Sequence, residues 1–292
     1  ALNGLYGDYL ARTRNPLALD LSLRYEGEPL DIRDAERLCA ALRDRGRAPR
    51  LLVLVHGLCL NERHWMRKGH DHGAALAREM DFVPLYVRYN TGLPVSANGR
   101  VLARTLERLL QCLPVPVPEI SILAHSMGGL VTRGALDQAR RLRHAWPDRV
   151  RTCVFLGTPH HGAPLERAGH GLECILASSP YVVPFVRLSS SRSAGIRDLR
   201  HGTVGNARRF VPLPSGLRGY AIAATLDARQ SAFGDRLLGD GLVPLDSALG
   251  RHSDLSRNLA FPPERQWIAP GVGHLDLLSD PAVYDRLRGW LD

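Results

Sequence analysis

The sequence predicts an α/β protein built on a mostly parallel β-sheet flanked by helices. Short apolar segments, typical of strands buried on both faces, alternate with segments that carry apolar residues at helical spacing. The chain of 292 residues is 45% apolar and 23% charged, which supplies enough material for a large core. We therefore expect a single domain that spans residues 1–292.

The first part of the chain supplies two predicted parallel strands and the elements around them. Leu51–His56 is a continuous apolar run typical of a buried strand, and Phe82–Arg88 is predicted as the next strand. Between them, Ala74–Met80 has the pattern of a short helix. Upstream, Leu17–Tyr25 alternates as an edge strand does, and Ile32–Arg43 has helical character.

The middle and the end of the chain continue this alternation. Apolar residues at three-to-four spacing predict a helix after Asn98, which ends before Pro114. The remaining predicted strands are Glu119–Ala124, Val150–Leu156, Gly219–Thr225 and Arg265–Ala269. The remaining predicted helices cover Met127–Arg143 and the segment that begins at Pro281.

Residues 160–217 interrupt the alternation and are predicted to form an inserted cap or lid. Connections of this length are unusual unless they carry function. Leu172, Ile175 and Leu176 are spaced for one apolar helix face, and a second apolar patch lies at residues 182–188. Two hypotheses remain open: a mobile lid over an apolar cleft, or a cap packed permanently on the rest of the domain.

The net charge of +9 does not by itself indicate a nucleic-acid partner. Lys68 is the only lysine, and the arginines are spread along the chain rather than gathered in one tail. Aromatic residues make up only 6% of the chain, which argues against the stacking platforms of many nucleic-acid binders. We interpret the charge as a solvated basic surface and expect no nucleic-acid partner.

Cysteine usage and apolar runs bear on the compartment. The 5 cysteines are far apart and form no CxxC pair, which favours a reducing, cytoplasmic compartment. The chain begins at Ala1 without a methionine, so a secreted or periplasmic protein that has lost a leader fits as well. No apolar run approaches the roughly 20 residues of a transmembrane helix.

A serine between a strand and a helix carries the strongest functional signal. Residues 119–124 are predicted as a strand, Ser126 follows, and Met127 begins the predicted helix. Ala124 and Gly128 on either side are small, because a sharp reversal of the chain at the serine leaves no room for larger side chains. Such a turn presents a hydroxyl group as a nucleophile.

The motif Ala-His-Ser-Met-Gly-Gly at residues 124–129 resembles the nucleophile elbow of serine lipases and esterases in the α/β-hydrolase family. Alanine stands at residue 124, where this family usually has glycine. The resemblance extends over nearly all of the chain after Leu51. It implies the α/β-hydrolase fold and a triad whose members follow in the order serine, acid, histidine.

A serine hydroxyl needs a base within hydrogen-bond reach, and 12 histidines compete for this role. His274 follows the last predicted strand and is the expected base. His160 and His161 are the nearest rivals, but they precede the candidate acids and break the family order. His125 is expected to point away from the nucleophile, and His56 is expected to support a turn.

The acid is expected after the strand that ends at Thr225. Asp240 lies in the segment Gly-Asp-Gly-Leu-Val-Pro, which resembles the turn that carries the triad acid in many relatives. Its flanking glycines allow the backbone to turn the carboxylate toward the histidine. Asp227, which is closest to the strand, and Asp235 remain alternatives.

Two backbone N–H groups are the expected donors to the oxyanion of the tetrahedral intermediate. Met127 supplies one at a helix N-terminus. The resemblance of residues 56–58 to the family's His-Gly-x turn implies that Leu58 supplies the other. The segment Gly-Thr-Pro-His-His-Gly at residues 157–162 also resembles lipases of this group and is expected at the mouth of the cleft.

No ligand spacing in the chain requires a metal ion. His160 and His161, with Asp71 or His72, form one conceivable ligand set, but nothing in the spacing demands it. We expect no metal and no cofactor.

These residues together predict a lipase-like serine hydrolase that cleaves carboxylic esters through an acyl-enzyme. The expected substrate has an apolar acyl chain or belongs to a lipid or polymer surface, which includes polyesters. An acyltransferase or a peptidase would use the same triad. A non-enzymatic module that binds anionic surfaces is the alternative outside catalysis.

Overall fold

One mostly parallel β-sheet forms the centre of the protein. The computed structural model describes residues 2–33, 35–43, 50–114, 116–163, 193–205, 210–227 and 239–292. Its strands are β1 (Ser22–Tyr25), β2 (Glu28–Pro29), β3 (Arg50–Val55), β4 (Phe82–Arg88), β5 (Glu119–His125), β6 (Val150–Leu156), β7 (Arg218–Thr225) and β8 (Gln266–Pro270). These strands form an eight-stranded sheet in the order β2-β1-β4-β3-β5-β6-β7-β8.

Helices connect these strands and cover both faces of the sheet. The described α-helices are α1 (Leu2–Arg12), α2 (Glu36–Arg43), α3 (His72–Met80), α4 (Val95–Cys112), α5 (Met127–Arg141), α6 (Ala194–His201), α7 (Leu245–Ala248) and α8 (Pro281–Leu291). Single 3₁₀ turns lie at Glu62–Trp65, Trp146–Arg149, Leu255–Arg257, Pro263–Arg265 and Asp276–Leu278. Helices α4 and α5 pack against each other on one face, and α3 and α8 contact each other on the other face.

All strands from β3 to β8 pair in parallel, and β1 pairs antiparallel to both β4 and β2. The predicted fold class is therefore confirmed. Since parallel strands end at the same edge of a sheet, the loops after β3, β5, β6, β7 and β8 meet at one edge. We call this edge the carboxyl edge and the opposite one the amino edge.

The alternation of side chains along β3 divides the core into two layers. Leu51 and Val53 face the layer that holds α4 and α5, whereas Leu52 and Leu54 face the layer that holds α3 and α8. All four side chains are buried. A strand covered on both faces has no polar side, which is why this segment is apolar without interruption.

The predicted edge strand is shorter than expected and does not lie at the edge. Only Ser22–Tyr25 is a strand. Glu26 and Gly27 adopt positive φ and form a tight hairpin turn that returns the chain as β2. This two-residue strand covers the outer side of β1. Helix α2 begins at Glu36 rather than at Ile32.

The predicted insert at residues 160–217 is described over 160–163, 193–205 and 210–217, and helix α6 lies within it. Residues 164–192, which include both apolar patches of the lid hypotheses, lie outside the described residues. Sequence patterns did not predict α6 or α1. The two helices hold each other, since Ser193 Oγ donates to the Gly4 carbonyl at 2.7 Å and the Ala194 N–H donates to Asp8 Oδ2 at 2.9 Å.

Across the described part of the chain, no helix combines the length and the apolar character needed to cross a bilayer.

Candidate active site

Ser126 lies in a strained turn between β5 and α5 at the carboxyl edge. Its backbone has φ 53° and ψ −126°, a conformation that L-residues rarely adopt. The Ser126 N–H donates to the Leu156 carbonyl at the end of β6 at 2.8 Å, which holds the turn. A Cβ atom at Gly128 would collide with the Val55 carbonyl, so glycine is required where α5 begins against β3. This is the strand-to-helix geometry expected for a nucleophile elbow.

The loop after β3 lies directly against Ser126. A Cβ atom built on Gly57 would approach the Ser126 Cβ to 2.9 Å, which places the predicted oxyanion turn beside the serine. The following residues are held in place, because the Cys59 N–H donates to Thr91 Oγ1 at 3.1 Å. No described residue accepts a hydrogen bond from the N–H of Leu58 or of Met127. Both amides are thus available as donors.

His274 and Asp240 form a buried pair. His274 Nδ1 donates to Asp240 Oδ2 at 2.6 Å. The other oxygen, Asp240 Oδ1, accepts the N–H groups of Leu242 at 3.0 Å and Val243 at 2.8 Å. These three contacts fix the carboxylate and therefore the orientation of the imidazole.

The His274 ring packs against the turn that follows β6. A Cβ atom at Gly157, which has φ 54°, would lie 3.1 Å from two atoms of this ring. Since the Ser126 N–H is bonded to Leu156, the serine and His274 flank the same turn. His274 Nε2 is buried and has no hydrogen-bond partner among the described residues. Catalytic hydrogen bonds are often long before a substrate binds.

Two further histidines hold the loop that carries His274, and sequence reasoning missed both. His125 Nε2 donates to the His274 carbonyl at 3.0 Å, and His72 Nε2 donates to the Leu277 carbonyl at 3.0 Å. Burial, with the His274 ring nearby, holds the pKa of His125 well below its usual range, and burial lowers the pKa of His72 to about 4. Both side chains are therefore neutral near pH 7. His125 is buried as expected, but it lies against His274 rather than away from the site.

His56 occupies the turn after β3 as the sequence suggested. Its Nδ1 donates to the Gly57 carbonyl at 2.9 Å, and its ring stacks on Tyr89 with 4.4 Å between the ring centroids. Burial lowers the pKa of His56 to about 4. The ring is thus a neutral support under the Gly57 turn.

The rival acids and bases occupy other places. The Asp227 carbonyl accepts the Gly271 N–H at 3.2 Å, and the carboxylate bonded to His274 is that of Asp240. Asp235 lies outside the described residues. His160 and His161 contact Arg133 and Ser247 instead.

The residues considered for a metal site do not converge. His72 is bonded to His70 and to the Leu277 carbonyl, whereas His160 faces Arg133. The described ranges contain no group of three or more histidine, cysteine, aspartate or glutamate side chains arranged for a metal ion.

Comparison with known proteins supports the geometry. Residues 52–185 match the family of the PGAP1-like alpha/beta domain. The mature lipase BlEst2 of Bacillus licheniformis is similar over 82% of this chain and 91% of its own, with 18% sequence identity and a TM-score of 0.53. The chain has the α/β-hydrolase fold.

Two more solved structures resemble this chain. The propeptide form of the same lipase is 18% identical over 82% of this chain and 50% of its own, with a TM-score of 0.52. An esterase of Pyrococcus furiosus is 15% identical over 83% of this chain and 81% of its own, with a TM-score of 0.50. At these identities the likeness establishes the fold. Among curated proteins, none matches the sequence.

Proposed function

We propose that the protein is a lipase-like serine hydrolase that cleaves carboxylic esters with a triad of Ser126, His274 and Asp240. The observation that carries this proposal is the His274 imidazole, whose Nδ1 is bonded to Asp240 at 2.6 Å while its buried Nε2 has no described partner. This free nitrogen belongs to a ring that flanks the same turn as the strained Ser126. Acyl transfer requires an oriented base beside a nucleophile, and His274 and Ser126 meet this requirement.

The chemistry follows from these positions. Ser126 Oγ attacks the ester carbonyl carbon, and His274 Nε2 accepts the hydroxyl proton as the new C–O bond forms. Asp240 stabilises the resulting imidazolium without taking its proton. The N–H groups of Leu58 and Met127 donate to the oxyanion, where the N-terminus of α5 also favours negative charge.

Collapse of this intermediate breaks the bond to the alcohol, which leaves with the proton from His274 Nε2. The acyl group then remains on Ser126 Oγ. Water attacks the acyl-enzyme while His274 Nε2 accepts one of its protons, and His274 then passes this proton to Ser126 Oγ as the bond to the acyl group breaks and the carboxylic acid is released.

We also propose a class of substrate and a single-domain organisation. An ester with an apolar acyl chain, presented in solution or on a lipid or polymer surface, suits a lipase-like fold whose similar structures are a lipase and an esterase. A single domain over residues 1–292 is supported by the one sheet that carries every proposed site residue.

Labelling and turnover on matched serine variants test this assignment. We expect a fluorophosphonate probe to react stoichiometrically at Ser126 and p-nitrophenyl ester turnover to fall at least about 10⁴-fold in Ser126→Ala. Ser121→Ala is the control, because Ser121 lies on the same strand, is buried, and has a hydroxyl without a described partner. Unchanged turnover in Ser126→Ala, or labelling at another residue, would overturn the proposal.

A further inference from the structure

A cavity lined by arginine and histidine side chains lies near the proposed active site, and none of the proposed catalytic residues lines it. It has a volume of about 270 Å³ and lies between α5, the end of α6 and the loop after β6. Five arginine and histidine side chains line it, those of Arg133, His160, His161, His201 and Arg257. No acidic side chain lines it among the described residues. A lining with positive charge and no described carboxylate favours an anionic ligand.

Arg133 contributes a buried positive charge to this cavity. Its side chain is 2% exposed, and no described carboxylate forms an ion pair with it. The guanidinium donates to the His160 carbonyl at 3.3 Å and to the Val211 carbonyl, and it lies 5.5 Å from the centre of the Phe210 ring. Its Nε has no described partner. The buried guanidinium of Arg133 therefore has an N–H group that can still donate a hydrogen bond.

The electrostatic effect of Arg133 extends to its neighbours. Burial lowers the pKa of Arg133 to about 9. Burial, with a further contribution from Arg133, lowers the pKa of His161 to about 4 and holds that of His160 well below its usual range. These histidines are neutral near pH 7, so their buried Nε2 atoms add hydrogen-bonding capacity without charge.

We propose that this cavity is a binding site for an oxyanion group, a phosphate or a carboxylate. An isolated buried cation is costly, and an anion in contact with it offsets that cost. A guanidinium presents paired N–H groups that match the oxygens of both anions, and Arg257 supplies a second positive charge at the same cavity. The volume exceeds that of several water molecules at roughly 30 Å³ each, so a phosphate group fits with some hydration.

The cavity is connected to the proposed triad through two elements. Arg133 follows Ser126 by two turns of α5, about 10 Å along the helix axis. The His160 N–H and the His161 N–H donate to the carbonyl and the hydroxyl of Ser247, on the short helix that follows the Asp240 turn. An anion bound here is either a free ligand or the acidic part of an ester substrate, and the chemistry of recognition is the same.

Calorimetric titration and thermal unfolding with sodium phosphate and sodium acetate test the site, with sodium chloride at equal ionic strength as the reference. We expect saturable phosphate binding and a higher Tm in phosphate than in chloride. Arg257→Gln should weaken phosphate binding about ten-fold, since it removes one charge-assisted contact. Arg104→Gln on the exposed face of α4 is the matched control and should bind as the unmodified protein does.

Arg133→Met should abolish the phosphate-dependent rise in Tm. If Arg133→Met does not fold, phosphate binding by Arg257→Gln still tests the site. Absence of saturable binding by either anion, or equal weakening in Arg257→Gln and Arg104→Gln, would overturn the site. These readouts do not require ester hydrolysis, so the anion site and the proposed activity fail independently.

Esters with and without a terminal carboxylate distinguish the two sources of the anion. If the anion is part of the substrate, phosphate should compete with a carboxylated p-nitrophenyl ester and leave its neutral analogue of equal length unaffected. A free anionic ligand should change the turnover of both esters without competition. Either pattern requires an occupied cavity, and in Arg257→Gln either should need about ten-fold more phosphate.

Discussion

The two edges of the sheet differ in the partners of their polar side chains. At the amino edge, Arg50 pairs with Glu119 at 3.2 Å, donates to the Leu291 carbonyl, and lies 4.1 Å from the centre of the Phe82 ring. At the carboxyl edge, the Nε2 atoms of His56 and His274 are buried and have no described partner. An unsatisfied buried polar atom is costly, so these two nitrogens mark positions that chemistry rather than stability set.

The difference also concerns charge. At the amino edge, Arg50 and Arg151 both form ion pairs with Glu119. The carboxyl edge keeps its supporting histidines neutral by burying them, and burial lowers the pKa of both His56 and His72 to about 4. Neutral imidazoles support the His274 loop without competing with Asp240 for the charge that forms on His274 during acyl transfer.

The largest expected effect comes from changing the acid at the carboxyl edge. In Asp240→Asn, Oδ1 still accepts the Leu242 and Val243 N–H groups, but the amide nitrogen faces His274 Nδ1 and favours the wrong tautomer. We expect kcat/KM for p-nitrophenyl esters to fall about 10⁴-fold with little change in Tm. Asp246→Asn on α7, with a side chain 47% exposed, is the control. Equal activity in the two variants would assign the acid elsewhere.

Acidification is expected to destabilise the carboxyl edge. The folded pKa values of His56 and His72 are lowered, so the unfolded chain binds more protons and stability falls as the pH drops below about 6.5 toward 4. Between pH 7 and 5 each histidine should cost ~2 kcal/mol of unfolding free energy.

Denaturant unfolding at a series of pH values measures this loss. His56→Phe keeps a ring against Tyr89. In this variant, the unfolding free energy should fall by ~2 kcal/mol less between pH 7 and 5 than in the unmodified protein. A midpoint that stays constant or rises on acidification from pH 7 to 5 would contradict the neutral state of these side chains.

A smaller effect is expected from the support of the His274 loop. His125→Phe removes the donor to the His274 carbonyl and keeps a ring, so the imidazole loses alignment and kcat should fall 10- to 100-fold, an effect of about 1.4 to 3 kcal/mol. KM should change little. His125→Gln, which retains an N–H donor, should recover part of the rate. A lower Tm with unchanged kcat in the folded variant would limit His125 to a structural role.

The smallest effect is expected at the amino edge. Glu119 pairs with Arg50 and Arg151, but the side chain of Arg151 is 61% exposed and solvent screens its contribution. Glu119→Gln should lower the unfolding free energy by no more than about 1 kcal/mol and leave ester turnover within two-fold of the unmodified protein. A ten-fold loss of turnover would show that the two edges are coupled.

Local patterns were sufficient where local forces dominate. Strands β4 and β6 begin and end at the predicted residues, because short segments rich in apolar residues indicate strands in the sequence itself. Patterns failed for β2, a strand of two residues whose pairing depends on the turn at Glu26 and Gly27. They failed also for α1 and α6, since these helices are held by contacts with each other.

Local patterns in the chain were enough to predict the fold class, the order of the parallel strands and the small set of residues from which the proposed triad is drawn. Those properties depend on neighbours in the chain: apolar periodicity, and a serine between small residues where a strand meets a helix. The folded structure was needed to show which aspartate faces His274, that His125 and His72 hold its loop, and that Arg133 lies buried without a described carboxylate. These relations join residues far apart in sequence, and such contacts depend on the path of the whole chain rather than on local pattern.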